Sequence, residues 1–124
     1  MPTIPTRVSY QRGDVLLVQF PNSDLRSTKF RPVVVVQASY LKTGLSQFIV
    51  AMITSRVERS NYPIRVMIRL DSIEGRQSCL LSDSVVVTDN LATIAATEIG
   101  RRTGAIAMTT VDNALWYTLD LSLS

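Results

Sequence analysis

"RSTKFRPVVVVQ", Arg26–Gln37, changes character within a single residue. Three cations and two hydroxyls occupy its first half, and Arg31-Pro32 then leads straight into four consecutive valines. An unbroken β-branched run predicts a strand buried on both faces, because a half-exposed strand would alternate. That strand spans Val33–Gln37, with Pro32 at its first position, where a missing N–H matters least. The stretch before it, "PNSDLRSTKFR", has the Pro, Asn, Ser and Asp of a loop. Positive charge at the mouth of so apolar a strand has two readings. It is a solvated junction, or the strand is a rigid post that holds Arg31 up to a ligand.

Strands follow on either side. "DVLLVQF", Asp14–Phe20, begins behind a Gly-Asp start; "FIVAMITS", Phe48–Ser55, and "IRVMIRL", Ile64–Leu70, have the same β-rich composition. In the last of these, Ile64, Val66, Ile68 and Leu70 alternate with Arg65, Met67 and Arg69. One face therefore goes to the core, and the arginines form a solvated or a binding face. "CLLSDSVVVTDNLATI" supplies one or two further strands around Ser82–Ser84, and "GRRTGAIA" a last short one. From Thr109 the period changes. Val111, Ala114, Leu115, Thr118 and Leu119 make a helical stripe, with Thr109 or Thr110 as its cap and Asp112 suited to the N-terminal dipole. Trp116 and Tyr117 flank the stripe, closing over the sheet or facing a partner. Five to seven strands and then one helix, with no βαβ alternation, exclude a doubly wound fold. The expectation is a mainly β protein with a C-terminal α-helix, a small curved antiparallel sheet or barrel.

The 124 residues, 46% hydrophobic and 19% charged, suit one globular domain over residues 12–124 behind a loosely held arm, residues 1–11. Aromatics make up only 6%, so the core must be Val, Leu and Ile. The single cysteine, Cys79, forms no internal disulfide and reads as a small buried hydrophobe, which fits a reducing cytoplasm. No stretch reaches the roughly 20 apolar residues of a membrane span, and the N-terminus has no apolar signal region. The expected location is cytoplasmic, with no membrane partner. The formal charge of +3 is mild; its placement says more. Arg26, Lys29 and Arg31 precede one strand, and Arg56 and Arg59 follow another. Such clusters are either solvated charge or a patch for phosphates or an acidic partner.

Absences narrow the chemistry. The chain has no histidine, which excludes histidine triads and, with one cysteine, the usual zinc sites. Its glycines are scattered, so no phosphate-cradling loop is present. Its carboxylates are too dispersed for a paired-carboxylate site. Arginine, hydroxyls and isolated aspartates at strand ends remain. They suit phosphate chemistry that needs neither metal nor cofactor: arginine matches phosphate oxygens with a permanently charged planar fork, and RNA brings its own nucleophile, the 2′-OH, which need only be aligned.

The ordered set "RGDVLLVQFPNSD", "RPVVVVQ", "FIVAMITS", "DSVVVTDNLATI", "IGRRTGAI" and "VDNALWYTLDL" resembles the MazF/PemK family of toxin endoribonucleases from Arg12 to about Leu121. The resemblance implies a small SH3-like barrel of curved strands with a C-terminal helix, usually a homodimer. It implies metal-independent cleavage of single-stranded RNA at short sequences, leaving a 2′,3′-cyclic phosphate and a 5′-OH. It also implies neutralisation by an acidic, MazE-like antitoxin. By motif, Arg31 and Thr54 take the catalytic positions that hold the reacting phosphate. Arg26, Ser27 and Lys29, with Asp24, fall in a substrate-covering loop, and Arg56 lies beside the site. Asp89 is a base, a base-edge acceptor or a turn residue, and Asn90 faces the RNA. The chain departs from the family pattern at Ala92, where many members carry Arg, and in its first loop, which lacks the usual Gly-Ser-Glu-Gln. Its final helix starts about a turn late. With no histidine, the general acid and base are unidentified, which leaves Arg31 and water. Two other readings are a CcdB-like protein that binds gyrase and cleaves nothing, and a family relative without catalysis.

Overall fold

The structure, a computed structural model, describes residues 10–21, 27–41, 43–61 and 63–121. The strands are β1 (Asp14–Pro21), β2 (Thr28–Val35), β3 (Gln47–Thr54), β4 (Arg65–Ile68), β5 (Ser84–Ala95) and β6 (Ile99–Ala105), with helices α1 (Ile73–Ser78) and α2 (Thr109–Leu119). All pairings are antiparallel, in the order β4-β5-β3-β2-β1-β6.

The valine run explains the architecture. Val33 and Val35 point into one apolar cluster with Leu16, Val18, Val50 and Ile94. Val34 points into the other, with Val15, Ala51, Ile53, Val66, Val86 and the α2 residues Val111, Ala114 and Leu115; Val36 packs against its margin. Helix α2 covers the second cluster. No helix residue belongs to the first, yet its members are almost fully buried, so the sheet itself curls over them. Curling follows from the bulges: β3 and β5 lose register between Ala51 and Met52, and β1 and β6 lose it twice. Within its hydrogen bonding this is a strongly curved sheet with β4 and β6 at its ends rather than a closed barrel. Fully buried side chains are mostly valine, as the scarcity of aromatics requires.

Four expectations need correction. Strand β2 starts at Thr28, so the last residues of the supposed loop, Thr28–Arg31, are strand paired with β1, and Pro32 lies inside the strand. Proline is tolerated there because pairing of β2 with β3 covers only Val33–Val35, which leaves Pro32 beside an open edge. The segment from Ser84 is one long strand, and ahead of it stands α1, a helix too short to show a periodic stripe. Its signal was the cap: Ser72 Oγ accepts from the Gly75 N–H at 2.9 Å. Cys79 is exposed, not buried; it ends α1 in the left-handed region. Helix α2 is preceded by Met108 with no side-chain cap, so neither Thr109 nor Thr110 fills that role, while Asp112 does stand in its first turn.

The Arg-Gly-Asp segment is a fastening. Arg12 Nε donates to the Val36 carbonyl at 2.8 Å, and its guanidinium pairs with Asp112 at 2.5 Å, tying β2 to α2. Gly13 adopts φ 93° with the Ile106 carbonyl 2.9 Å from where a Cβ would stand, so any other residue is strained and crowded. Asp14 accepts from the Gln11 N–H at 2.8 Å and from Arg102 Nε at 2.9 Å. Residues 1–9 of the expected arm lie outside the described residues; Tyr10 meets Phe48 edge to face at 5.5 Å.

Candidate functional site

Strand alternation puts Lys29 and Arg31 on the same face of β2 as Val33 and Val35. Core valines thus anchor the strand while its outer end carries cations into solvent; both residues are exposed. Arg31 makes no hydrogen bond or ion pair among the described residues.

The register brings Thr54 to it. Val33 pairs with Met52, and carrying that antiparallel register two residues outward sets Arg31 opposite Thr54. Thr54 shares a face with Met52 and Val50, as Arg31 does with Val33, so the two side chains leave the same face of neighbouring strands. Thr54 is half-buried, and its Oγ1 accepts from the Arg56 N–H at 3.2 Å. That bond turns the chain out of β3 into a short 3-10 turn, Val57–Arg59, and leaves the Arg56 side chain exposed beside the strand end. Thr54 and three exposed cations thus lie on adjoining elements, Lys29 and Arg31 on β2 and Arg56 between β3 and the 3-10 turn. A guanidinium without a protein partner is open to a phosphate, and a threonine hydroxyl can still donate to one.

Asp89 and Asn90 lie in the bulge of β5. Val87 pairs with Met52 and Leu91 with Ala51, so Thr88, Asp89 and Asn90 have no partners across in β3. Asp89 is held: Arg65 Nε donates to its Oδ1 at 3.2 Å and Arg65 Nη2 to its Oδ2 at 2.9 Å. Arg65 Nη1 also reaches the Arg59 carbonyl at 3.2 Å, tying the bulge to the 3-10 turn. Hydrogen bonding from Arg65 holds the Asp89 carboxyl below its ordinary range, and Asp89 in return raises the Arg65 guanidinium. A carboxylate doubly bonded and made less basic is poorly suited to take a proton from a 2′-OH. Asn90 is exposed and makes no hydrogen bond among the described residues.

Ser27 is exposed just ahead of β2 and has an interaction of its own; Arg26 and Asp24 lie outside the described residues. Ala92, at the position of the expected cation, pairs with Val50 and packs against the all-sheet apolar cluster. Sequence reasoning set Arg65 on a solvated or binding face but missed its pairing with Asp89. The available signal was its alternation with Val66 and Ile68, which placed it on the non-core face; its partner, 24 residues away, leaves no local mark. No helix among the described residues is long and apolar enough to cross a membrane.

No curated protein matches the chain by sequence. Solved structures do match by shape. The Mycobacterium tuberculosis toxin MazF-mt6 superposes with TM-score 0.66 at 24% identity, over 89% of this chain and 99% of that one. A mycobacterial endoribonuclease in complex with its cognate antitoxin gives 0.71 at 19%, over 93% and 99%. MazF in a MazE–MazF crystal form from Deinococcus radiodurans gives 0.68 at 16%, over 92% and 99%. At such identities these likenesses speak for the fold. A family profile speaks for descent: that of the "PemK-like, MazF-like toxin of type II toxin-antitoxin system" matches residues 11–116. With that match spanning the sheet, the strand ends and most of α2, the chain belongs to the PemK/MazF-like toxins of type II toxin–antitoxin systems.

Proposed function

We propose that the protein is a sequence-selective endoribonuclease that cuts single-stranded RNA in the cytoplasm without a metal ion. The observation that carries this reading is the exposed Arg31, without a partner among the described residues, on a strand whose register with β3 sets it opposite Thr54. In the reaction, the 2′-oxygen of the substrate forms a bond to the adjacent phosphorus and the bond to the 5′-oxygen breaks. The products are a 2′,3′-cyclic phosphate and a 5′-OH. Arg31 bonds the non-bridging oxygens as charge accumulates in the phosphorane, the step at which a preorganised donor counts most. It also donates a hydrogen bond to the leaving oxygen. Thr54 sets the phosphate in line, Lys29 and Arg56 hold its neighbours, and Arg26 and Ser27 add contacts to the RNA. Water carries the proton from the 2′-OH and delivers one to the 5′-oxygen, since Asp89 is engaged by Arg65.

The natural protein partner is an acidic antitoxin that competes for these cations, acting on a homodimer of this chain. Structural neighbours solved with an antitoxin support it.

The deciding experiment incubates the protein and Arg31→Ala with a long unstructured RNA in EDTA and maps the ends. Discrete cuts with 5′-OH ends from the wild type alone are expected. Uncut RNA under a folded wild-type protein would overturn the proposal and favour a binder without catalysis.

A further inference from the structure

We infer that Arg65 and the Thr88–Thr118 pair are positioning residues that make the Thr88–Asn90 bulge a base-reading element, with Asn90 as the specificity-determining side chain. This rests on the ribonuclease reading above. Three observations converge on it. Beneath the bulge, Thr88 is fully buried, and its hydroxyl donates to the Ile64 carbonyl. A hydroxyl has one proton, so the 2.7 Å contact between Thr88 and Thr118 has Thr118 of α2 as donor. Beside the bulge, Asp89 is clamped through both oxygens by Arg65, which also holds the 3-10 turn through the Arg59 carbonyl. Outward, Asn90 is exposed and unpartnered among the described residues. Two residues are thus locked, and the third is presented.

Its chemistry fits a base. An amide offers a donor and an acceptor side by side, the pattern that matches a base edge and discriminates among bases, whereas cations read only phosphate. Single-stranded RNA exposes those edges. The location fits too. Thr54 pairs with Val85, and the bulge begins just past Val87 on the same strand. Strand spacing and rise put it about 10 Å from Thr54, within reach of a base a nucleotide or two from the reacting phosphate. An unpaired Asp89 here would repel RNA; pairing with Arg65 removes that repulsion. Rigidity matters as well, because a polar group already fixed loses little freedom on binding.

The test maps cut sites of wild type, Asn90→Ala, Arg65→Ala and Thr118→Val on one long RNA, scored as base preference at each position around the cut. The expected result is a roughly tenfold loss of discrimination at one base position in Asn90→Ala, the size of one lost base-edge pair. Arg65→Ala and Thr118→Val should relax that same position, and the Arg65→Ala/Asn90→Ala double variant should relax it no further. Exchange of the pair, Arg65→Asp with Asp89→Arg, should restore the preference. Variants that cut more slowly with an unchanged profile would overturn the inference and leave the ribonuclease reading standing. A wild type that cuts nothing would remove both. Asn90→Ala disturbs no contact, so its profile decides the matter even if a clamp variant fails to fold.

Discussion

Two short segments, Arg12–Asp14 and Lys29–Arg31, each place arginine just ahead of a run of buried strand residues, yet their side chains meet opposite surroundings. In the first, every functional group is consumed by the protein: Arg12 by Val36 and Asp112, Asp14 by Gln11 and Arg102. In the second, Arg31 has no partner among the described residues and faces solvent. The valines behind both strands are equally buried. What separates an arginine that fastens the fold from one left open to solvent is therefore not the strand it introduces but whether carbonyls and carboxylates wait for it. Arg12 lies between a strand end and a helix N-terminus, which supply both. Arg31 lies just past the last β2–β3 pair, Val33 with Met52, and its exposed side chain meets no such partner among the described residues.

The sharpest way to break this contrast is to remove both arginines in parallel. Arg31→Ala should lower cleavage by at least about a hundredfold, the cost of losing one preorganised donor to a charged transition state, with its melting temperature unchanged. Arg31→Lys should recover only part of the rate, since an ammonium keeps the charge and loses the fork. Arg12→Ala should do the reverse and destabilise the fold by about 2 kcal/mol, most of it from orphaning the Val36 carbonyl, since the half-exposed pair with Asp112 adds little. Thermal unfolding and RNA cleavage on the same preparations check both; an Arg12→Ala protein of full stability and no activity would reverse the assignment. Thr54→Val keeps the shape and strand preference of its residue, and its expected loss is smaller. Removing one neutral hydroxyl, worth about 1 kcal/mol, should slow cleavage by roughly tenfold or less. A greater loss would make Thr54 an equal partner of Arg31.

The same contrast explains what could be read from the sequence. The valine run announced a strand buried on both faces because side-chain volume and branching act locally, and alternation into two apolar clusters followed. The position of α2 was legible from Val111, Ala114 and Leu115 for the same reason. Arg31 and Thr54 were singled out through motif resemblance, and the strand register sets them side by side. What stayed hidden depends on distant partners. Nothing local distinguishes Arg12 from Arg31, and nothing near Arg65 announces Asp89. Helix α1 spans too few turns to show a period, and Cys79, apolar in its neighbours, is exposed because the chain must leave α1 through a left-handed residue. The start of β2 was misjudged because Thr28 and Lys29 continue a loop-like polar composition, while pairing with β1 makes them strand.

The bulge stands between the two extremes, since Arg65 there is neither buried fastening nor free ligand arm, and the last prediction asks how much of its hold is charge. Asp89 titrates below the ordinary aspartate value of about 3.9, because Arg65 bonds its ionised form. A depressed carboxyl contributes stability that is present above its unfolded value and disappears as the pH falls through the folded one. The difference in melting temperature between wild type and Asp89→Asn should therefore be constant from neutral pH to about 5 and close progressively below about 4. The difference should be small throughout, as both partners are accessible to water. It should shrink further in high salt. If instead the gap persists at low pH, the amide variant is losing packing or geometry and not charge. Arg65 would then belong with Arg12, as part of the frame.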